Sequence, residues 1–160
     1  MTLTAEKLRE LLDYDPATGV FIWAVRSNQN TLAGTLAGTT KHSYFAISIS
    51  SRVYAAHRLA WLYVHGVWPT YHIDHKDGDI RNNQITNLRD VPRNVNMQNR
   101  RKAQINNRSG LQGAMKNGSG WMSRIAANGV IHYLGNFQTP EEAHQAYLKA
   151  KRRLHEGCTI

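Results

Sequence analysis

The sequence predicts an α+β protein built in parts, and three observations carry that expectation. Short apolar and aromatic stretches of strand length recur along the chain, while helical stripes are confined to a few segments. Positive charge gathers beyond the first third: residues 1–56 hold five Lys/Arg against four Asp/Glu, 57–107 eight against four, and 108–160 seven against three. The stretch 104–110, Gln-Ile-Asn-Asn-Arg-Ser-Gly, has a linker's composition and separates 1–103 from 111–160.

Composition narrows the function. With 160 residues, 41% of them hydrophobic, there is enough for one modest core or two small ones. No apolar run approaches the roughly 18 residues of a membrane span, and Met1–Leu12 lacks an apolar signal core. A cytoplasmic protein is expected. The single cysteine, Cys158, excludes an internal disulfide and any Cys-rich zinc finger and reads as an incidental tail residue. A net charge of +9 points to a polyanionic partner, most often nucleic acid. Five cations and no acid lie between Arg93 and Arg108: Arg93, Arg100, Arg101, Lys102 and Arg108. Such a run can be a solvated helix face or a backbone-binding surface.

Leu3-Thr4-Ala5-Glu6 opens a helix, with Thr4 as N-cap, Leu3 poised to staple onto Leu8, and a stripe of Leu8, Leu11 and Leu12. Asp15-Pro16-Ala17-Thr18-Gly19 is a turn, Val20–Val25 a strand, and Asn28–Thr40 a loop. Tyr44–Ser50 alternates, placing Phe45, Ile47 and Ile49 on one strand face. Ala55–His65 is helical and ends at Gly66. This third is scaffold, with Trp23, Trp61 and Trp68 in its core. Next comes a unit of strand, loop, strand and helix. Tyr71–His75 is its first strand, Lys76–Asp79 a turn, and Leu88–Val91 the second strand. Pro92 starts a helix carrying Asn94, Asn96, Asn99 and Arg100. Strands are expected at 111–115, 121–126 and 130–134, with turns at Asn117-Gly118 and Asn128-Gly129. Tyr133, Leu134 and Phe137 are expected in the core. Thr139-Pro140-Glu141-Glu142 is a capping box for a last helix with the stripe Ala143, Tyr147, Ala150 and Leu154. Lys149, Lys151, Arg152 and Arg153 suit the negative end of its dipole, and Gly157 ends it.

The residues with chemistry to offer cluster in the middle unit. Asp74 and His75 end a strand, Asn87 follows His75 by 12 residues and Asn96 follows nine later. Phosphodiester hydrolysis needs a base for water, a cation to neutralise phosphate charge, and a group that orients the base. Imidazole suits the first task, hard carboxylate and amide oxygens bound to Mg²⁺ or Mn²⁺ the second, and an amide oxygen on the other ring nitrogen the third. By spacing alone, Asp77, Asp79 and the neighbouring asparagines read equally well as turn formers. His57 is expected to be buried, hydrogen-bonded and supportive of the site. His72 is near the site, facing away from His75 if strand alternation holds to the end. His42, His65, His132, His144 and His155 show no ligand spacing.

His57-Arg58-Leu59-Ala60-Trp61, Ile73-Asp74-His75-Lys76-Asp77-Gly78-Asp79, Asn82-Asn83, Thr86-Asn87-Leu88-Arg89 and Asn96-x-x-Asn99 together resemble the HNH endonucleases of bacteriophages. These are the His-Me finger, or ββα-metal, nucleases, which include phage homing endonucleases. The resemblance covers roughly 54–102, and phage members often carry a leading segment like Leu11–Gly19. It implies a ββα-metal nuclease core over 71–103 on the 1–70 scaffold. It also implies that His75 is the general base, Asn87 the residue that orients it, and Asp74 and Asn96 the ligands of one divalent cation, Mg²⁺ or Mn²⁺. Ser109-Gly110, Gly120-Trp121, Arg124-Ile125, Tyr133–Phe137 and Thr139–Ala143 resemble the plant ethylene-response-factor (APETALA-type) DNA-binding domain. That second resemblance implies a three-stranded sheet on one helix over 111–160, entering the DNA major groove with Trp121 and Arg124, although Trp121 can also be plain core.

The expectation is therefore a metal-dependent DNA endonuclease, a site-preferring nickase of homing type, acting as a monomer on double-stranded DNA. Neither a membrane nor a protein partner is expected, and a phage-encoded chain would work in the host bacterial cytoplasm. The DNA contacts would come from Arg93, Arg100, Arg101, Lys102, Arg108, Trp121 and Arg124. The alternatives are a non-catalytic DNA-binding protein and a nonspecific nuclease that also acts on RNA.

Overall fold

Thr4 caps α1 (Ala5–Leu11), its hydroxyl accepting from the Lys7 amide at 3.2 Å. The computed structural model of the chain describes residues 2–26, 31–41 and 44–160; Asn28–Asn30 of the expected loop, and His42, lie outside them. α1 stops where Leu12 turns extended, and β1 (Leu12–Asp15) pairs antiparallel with β2 (Val20–Trp23). β1 hides in the sequence because Leu12 continues the helical spacing of Leu8 and Leu11. It buries instead as a strand does, with Leu12 and Tyr14 inward. Asp15 closes the turn between the strands: its carboxylate accepts from Ala17 N and from the Thr18 hydroxyl, and its carbonyl from Gly19 N.

The expected loop before Thr40 is partly strand. Trp23 N donates to Thr35 O, Ala37 N donates to Phe21 O, and β3 (Thr39–Lys41) joins β4 (Tyr44–Ile49) and β5 (Arg52–Ala55) in a sheet. β4 and β5 turn on Ser50-Ser51, both at positive φ (47° and 63°). Asn-Gly is the usual signature of that geometry, so the hairpin had no sequence signal. α2 (Ala56–His65) ends with Gly66 left-handed, as expected. Leu8, Leu12, Phe21, Ile47, Leu59 and Leu62 form the dry centre, with Trp23 buried and Trp61 and Trp68 packed against it. β6 (His72–His75) and β7 (Leu88–Val91) form an antiparallel pair with Asp74 opposite Arg89 and His75 opposite Leu88. A polar loop and a short 3₁₀ turn (Ile85–Asn87) connect them.

The chain divides into two compact units, 1–93 and 94–160. That division falls just after Arg93, the first residue of α3 (Arg93–Gln98), and leaves 104–110 inside the second unit. α3 and the residues after it are tied to the C-terminal tail: Gly157 N donates to Gln98 Oε1 at 2.8 Å, the Thr159 hydroxyl bonds Asn99 Oδ1, and Arg101 donates to Thr159. Asn99 and Arg100 follow the helix rather than ride on it. Stretch 104–110 is itself held, with Asn107 bonding Leu111 O and Ser109 N, and Gln112 donating to Arg100 O and Lys102 O.

The second unit carries a sheet in the order β10-β9-β8 under one helix. β8 (Ala114–Asn117) starts later than expected because Leu111–Gly113 turn first. β8 and β9 (Gly120–Ala127) turn on Gly118-Ser119, with only Gly118 at positive φ. β9 and β10 (Val130–Phe137) turn on Asn128-Gly129, both positive. The capping box of α4 (Pro140–Leu154) is complete. Two expectations change here, at Tyr133 and Gly157. Tyr133 is not core: it is 60% exposed because it pairs with Arg124, which faces outward on β9, just before a bulge at Gly135. Lys151 stands in the last turn as expected, with its side chain buried. It is 1% exposed and donates to Arg100 O and Gln112 Oε1, and burial pulls its ammonium below the usual lysine range. Gly157 is not the helix cap, since α4 ends at Leu154; a Cβ on Gly157 would stand 2.1 Å from Val95 O.

Candidate active site

β6 carries Asp74 and His75, both buried and each 6% exposed. Burying such groups costs free energy unless each finds partners. Asp74 finds Arg89 across the hairpin, whose Nε and Nη2 stand 2.8 and 2.7 Å from Oδ2. His75 Nε2 lies 3.1 Å from Asn83 Oδ1. Asn83 is itself buried, and the hydroxyl of buried Tyr14 donates to its carbonyl at 2.7 Å. Burial, helped by the nearby Asp15, pushes that phenol up to about 12. The ring of His57 meets His75 edge-on, centroids 5.3 Å apart at 81°. The expected hydrogen bond of His57 is not found at Nδ1, which is buried without a partner among the described residues. Burial, then the neighbouring His75 and Arg58, lowers its pKa to about 4, so it stays neutral at pH 7.

Asn87 stands elsewhere in the network. Its Oδ1 accepts from Asp77 N at 3.0 Å, and its Nδ2 donates to Asp77 Oδ1 at 2.9 Å and to Asn82 O at 2.8 Å. Its carbonyl takes the Lys76 amide. Asn87 thus fastens the loop that leaves His75, while the amide oxygen on the imidazole is that of Asn83. Sequence spacing could not choose among Asn82, Asn83 and Asn87, because an asparagine can bond its own turn as readily as a distant ring. The turn-former reading describes Asp77 and Asp79: Asp77 takes Asp79 N, and Asp79 takes Arg81 N. Burial raises the Asp77 carboxyl, but hydrogen bonds from Asn82, the Asp79 amide and Asn87 outweigh it and hold the group below the ordinary range.

The remaining expected residues lie in the second unit, except Arg93, which closes the first. Asn96 sits on α3, and Arg101 is engaged with the tail. β8 reaches only to Ser123 on β9, and a groove of about 880 Å³ opens beside the uncovered edge. Arg100, Lys102, Arg108 and Arg124 line it together with Lys116, and none of its lining residues is acidic. Trp121 also lines it, half-buried, with Lys116 Nζ 4.9 Å from its ring centre. Period-two alternation puts Trp121 on the face of Ser123 and Ile125, and Arg124 on the other. His144 and His155 bond backbone carbonyls, of Gln112 and Ala126. No group of three His, Cys, Asp or Glu among the described residues is placed to hold a metal, and none of their helices is long and apolar enough to cross a membrane.

Comparison with known families matches residues 54–98, from β5 through α3, to the HNH endonuclease family. No curated protein and no solved structure matches the chain. The match supports a nuclease function for the segment that holds Asp74, His75, Asn83 and Asn87.

Proposed function

We propose that the chain is a metal-dependent DNA endonuclease that hydrolyses phosphodiester bonds with His75 as general base. The observation that carries this reading is a buried imidazole, oriented by a buried amide beside a buried carboxylate, inside the segment that matches HNH endonucleases. A desolvated, fixed imidazole takes a proton from water without first reorganising its surroundings. The water oxygen then bonds to phosphorus in line, and the bond to the 3′ oxygen breaks.

The oxygen donors that the family pattern assigns have the chemistry a hard divalent cation takes. Asp74 supplies a carboxylate oxygen, oriented by Arg89, and the family pattern gives a second, amide oxygen to Asn96, an assignment that stands on the sequence. So few protein oxygens, with no cysteine among them, suit Mg²⁺ or Mn²⁺, which keep several waters. When bound, the cation neutralises charge on the scissile phosphate and the leaving oxygen. Asn87 keeps the loop after His75 closed.

The cations of the groove in 94–160, with Arg93 and Arg101, supply affinity for the backbone of double-stranded DNA. One site per chain cuts one strand per encounter, so the activity is a nick. The phage-nuclease pattern makes it site-preferring and homing-like, performed by a monomer in the cytoplasm of an infected host. The test is incubation with plasmid and structured RNA, with Mg²⁺, Mn²⁺ or chelator, read on a gel and mapped by sequencing. Nicked plasmid that needs the cation supports the reading; full-rate cutting in excess chelator removes the metal from it, and no cutting under any condition leaves a DNA-binding protein.

A further inference from the structure

A general base works through one ring nitrogen, so its tautomer matters. His75 Nε2 lies 3.1 Å from an amide oxygen, Asn83 Oδ1, which can only accept. Nε2 therefore carries a proton, and in the neutral ring this is the Nε2–H tautomer. Asn83 itself belongs to no helix or strand. What holds it comes from the other end of the first unit. The Tyr14 hydroxyl donates to Asn83 O at 2.7 Å, and Ile85 N donates to Pro16 O at 3.3 Å. Gly19, at φ +76°, lies so close that a Cβ would stand 2.5 Å from both Asn83 C and Gln84 N. Tyr14 is seated in turn by the rings of Phe21 and Tyr63, at 4.6 and 5.6 Å. Three separate contacts from the β1–β2 turn thus converge on the backbone of residues 83–85.

We propose that the Tyr14–Gly19 hairpin turn is a positioning element for the base: it sets Asn83 so that its amide oxygen holds His75 in the Nε2–H tautomer. The inference rests on the reading of His75 as general base. Asn83 and Tyr14 touch no reacting atom and act through His75. A turn that served stability alone would leave the ring's tautomer unmoved.

The test uses the full chain with Tyr14→Phe, Asn83→Ala and Asn83→Asp. Long-range ¹H–¹⁵N spectra report the tautomer of His75, assigned by the signals lost in His75→Gln. Single-turnover cleavage at saturating protein and DNA affinity are measured on the same samples. The wild type is expected to show Nε2–H. Asn83→Ala should mix the tautomers and slow cleavage by about 10–100-fold, the usual cost of losing such an outer partner, with affinity unchanged. Asn83→Asp keeps an acceptor and should restore the tautomer and most of the rate. Tyr14→Phe keeps the ring packing and should shift both readouts the same way by less. An unmoved tautomer in Asn83→Ala overturns the inference, and so does a Tyr14→Phe chain that matches the wild type in both readouts. If no chain cuts DNA but the tautomer shifts as stated, the nuclease reading fails while the positioning by the hairpin stands.

Discussion

The two units handle polar groups in opposite ways. In residues 1–93, ten Lys/Arg face eight Asp/Glu, and the polar side chains of consequence are inside: Asp74, His75, Asn83 and Asn87 are all buried and bonded to one another's neighbourhood. In residues 94–160, ten Lys/Arg face three Asp/Glu, and five of those cations line an open groove with no acid. The contrast follows from physics. A general base must be desolvated and held, which demands partners for every buried donor and acceptor. Binding a polyanion needs exposed cations that no neighbouring carboxylate neutralises. On the proposed function, chemistry and affinity are separable by mutation, and four measurements can break or sharpen that separation.

The largest effect is expected at His75. His75→Ala should slow nicking by about 10²–10⁴, the usual worth of a general base, while anisotropy with duplex DNA shows unchanged binding. A variant that loses binding too would erase the contrast. Next comes acid. His57 holds a pKa of about 4 in the fold against 6.5 for the free side chain. The folded chain binds the proton less well, so stability is full above about pH 6.5 and falls as pH drops toward 4. The loss approaches about 3 kcal/mol at pH 4, at about 1.4 kcal/mol per unit. Melting curves should show it, and His57→Gln should flatten them; an unchanged slope would put the acid sensitivity elsewhere. Lys151 is the corresponding buried group of the second unit. Lys151→Met leaves Arg100 O and Gln112 Oε1 without that donor, for about 1–3 kcal/mol of destabilisation in urea. A neutral result would mean that Lys151 is replaceable packing. The smallest effect belongs to single groove cations: Arg108→Ala or Arg124→Ala should each lower the slope of log K against log salt by about 1 if it contacts phosphate. Loss of preference at one base pair, with the slope intact, would make that arginine a base contact instead.

Much of the fold was legible because it is written in local chemistry. Thr4, Gly66 and the Thr139–Glu142 box sit where capping requires them, and Asn128-Gly129 makes the turn it announces. What escaped has no local signature. Leu12 obeys a helical spacing yet lies in a strand, Ser50-Ser51 takes a conformation that favours glycine, and Lys151 is a buried cation whose partners lie 39 and 51 residues away. Asp74, His75, Asn87 and Asn96 could be picked from their blocks. Asn83 could not be given a role, because its bond to His75 depends on where Tyr14 and Gly19 place its backbone, and that is decided by packing across 69 residues of chain.

The most direct test of the separation measures two quantities on one substrate. Single-turnover cleavage of a labelled duplex in Mg²⁺ gives the rate at saturating protein, and titration gives the Kd. Wild type, His75→Ala and the double variant Arg108→Ala/Arg124→Ala are compared. The expected result is a crossing: His75→Ala keeps the Kd and loses the rate, whereas the double variant keeps the rate and loses affinity. Wild-type cleavage at saturation by His75→Ala would contradict the assignment of the chemistry to the first unit.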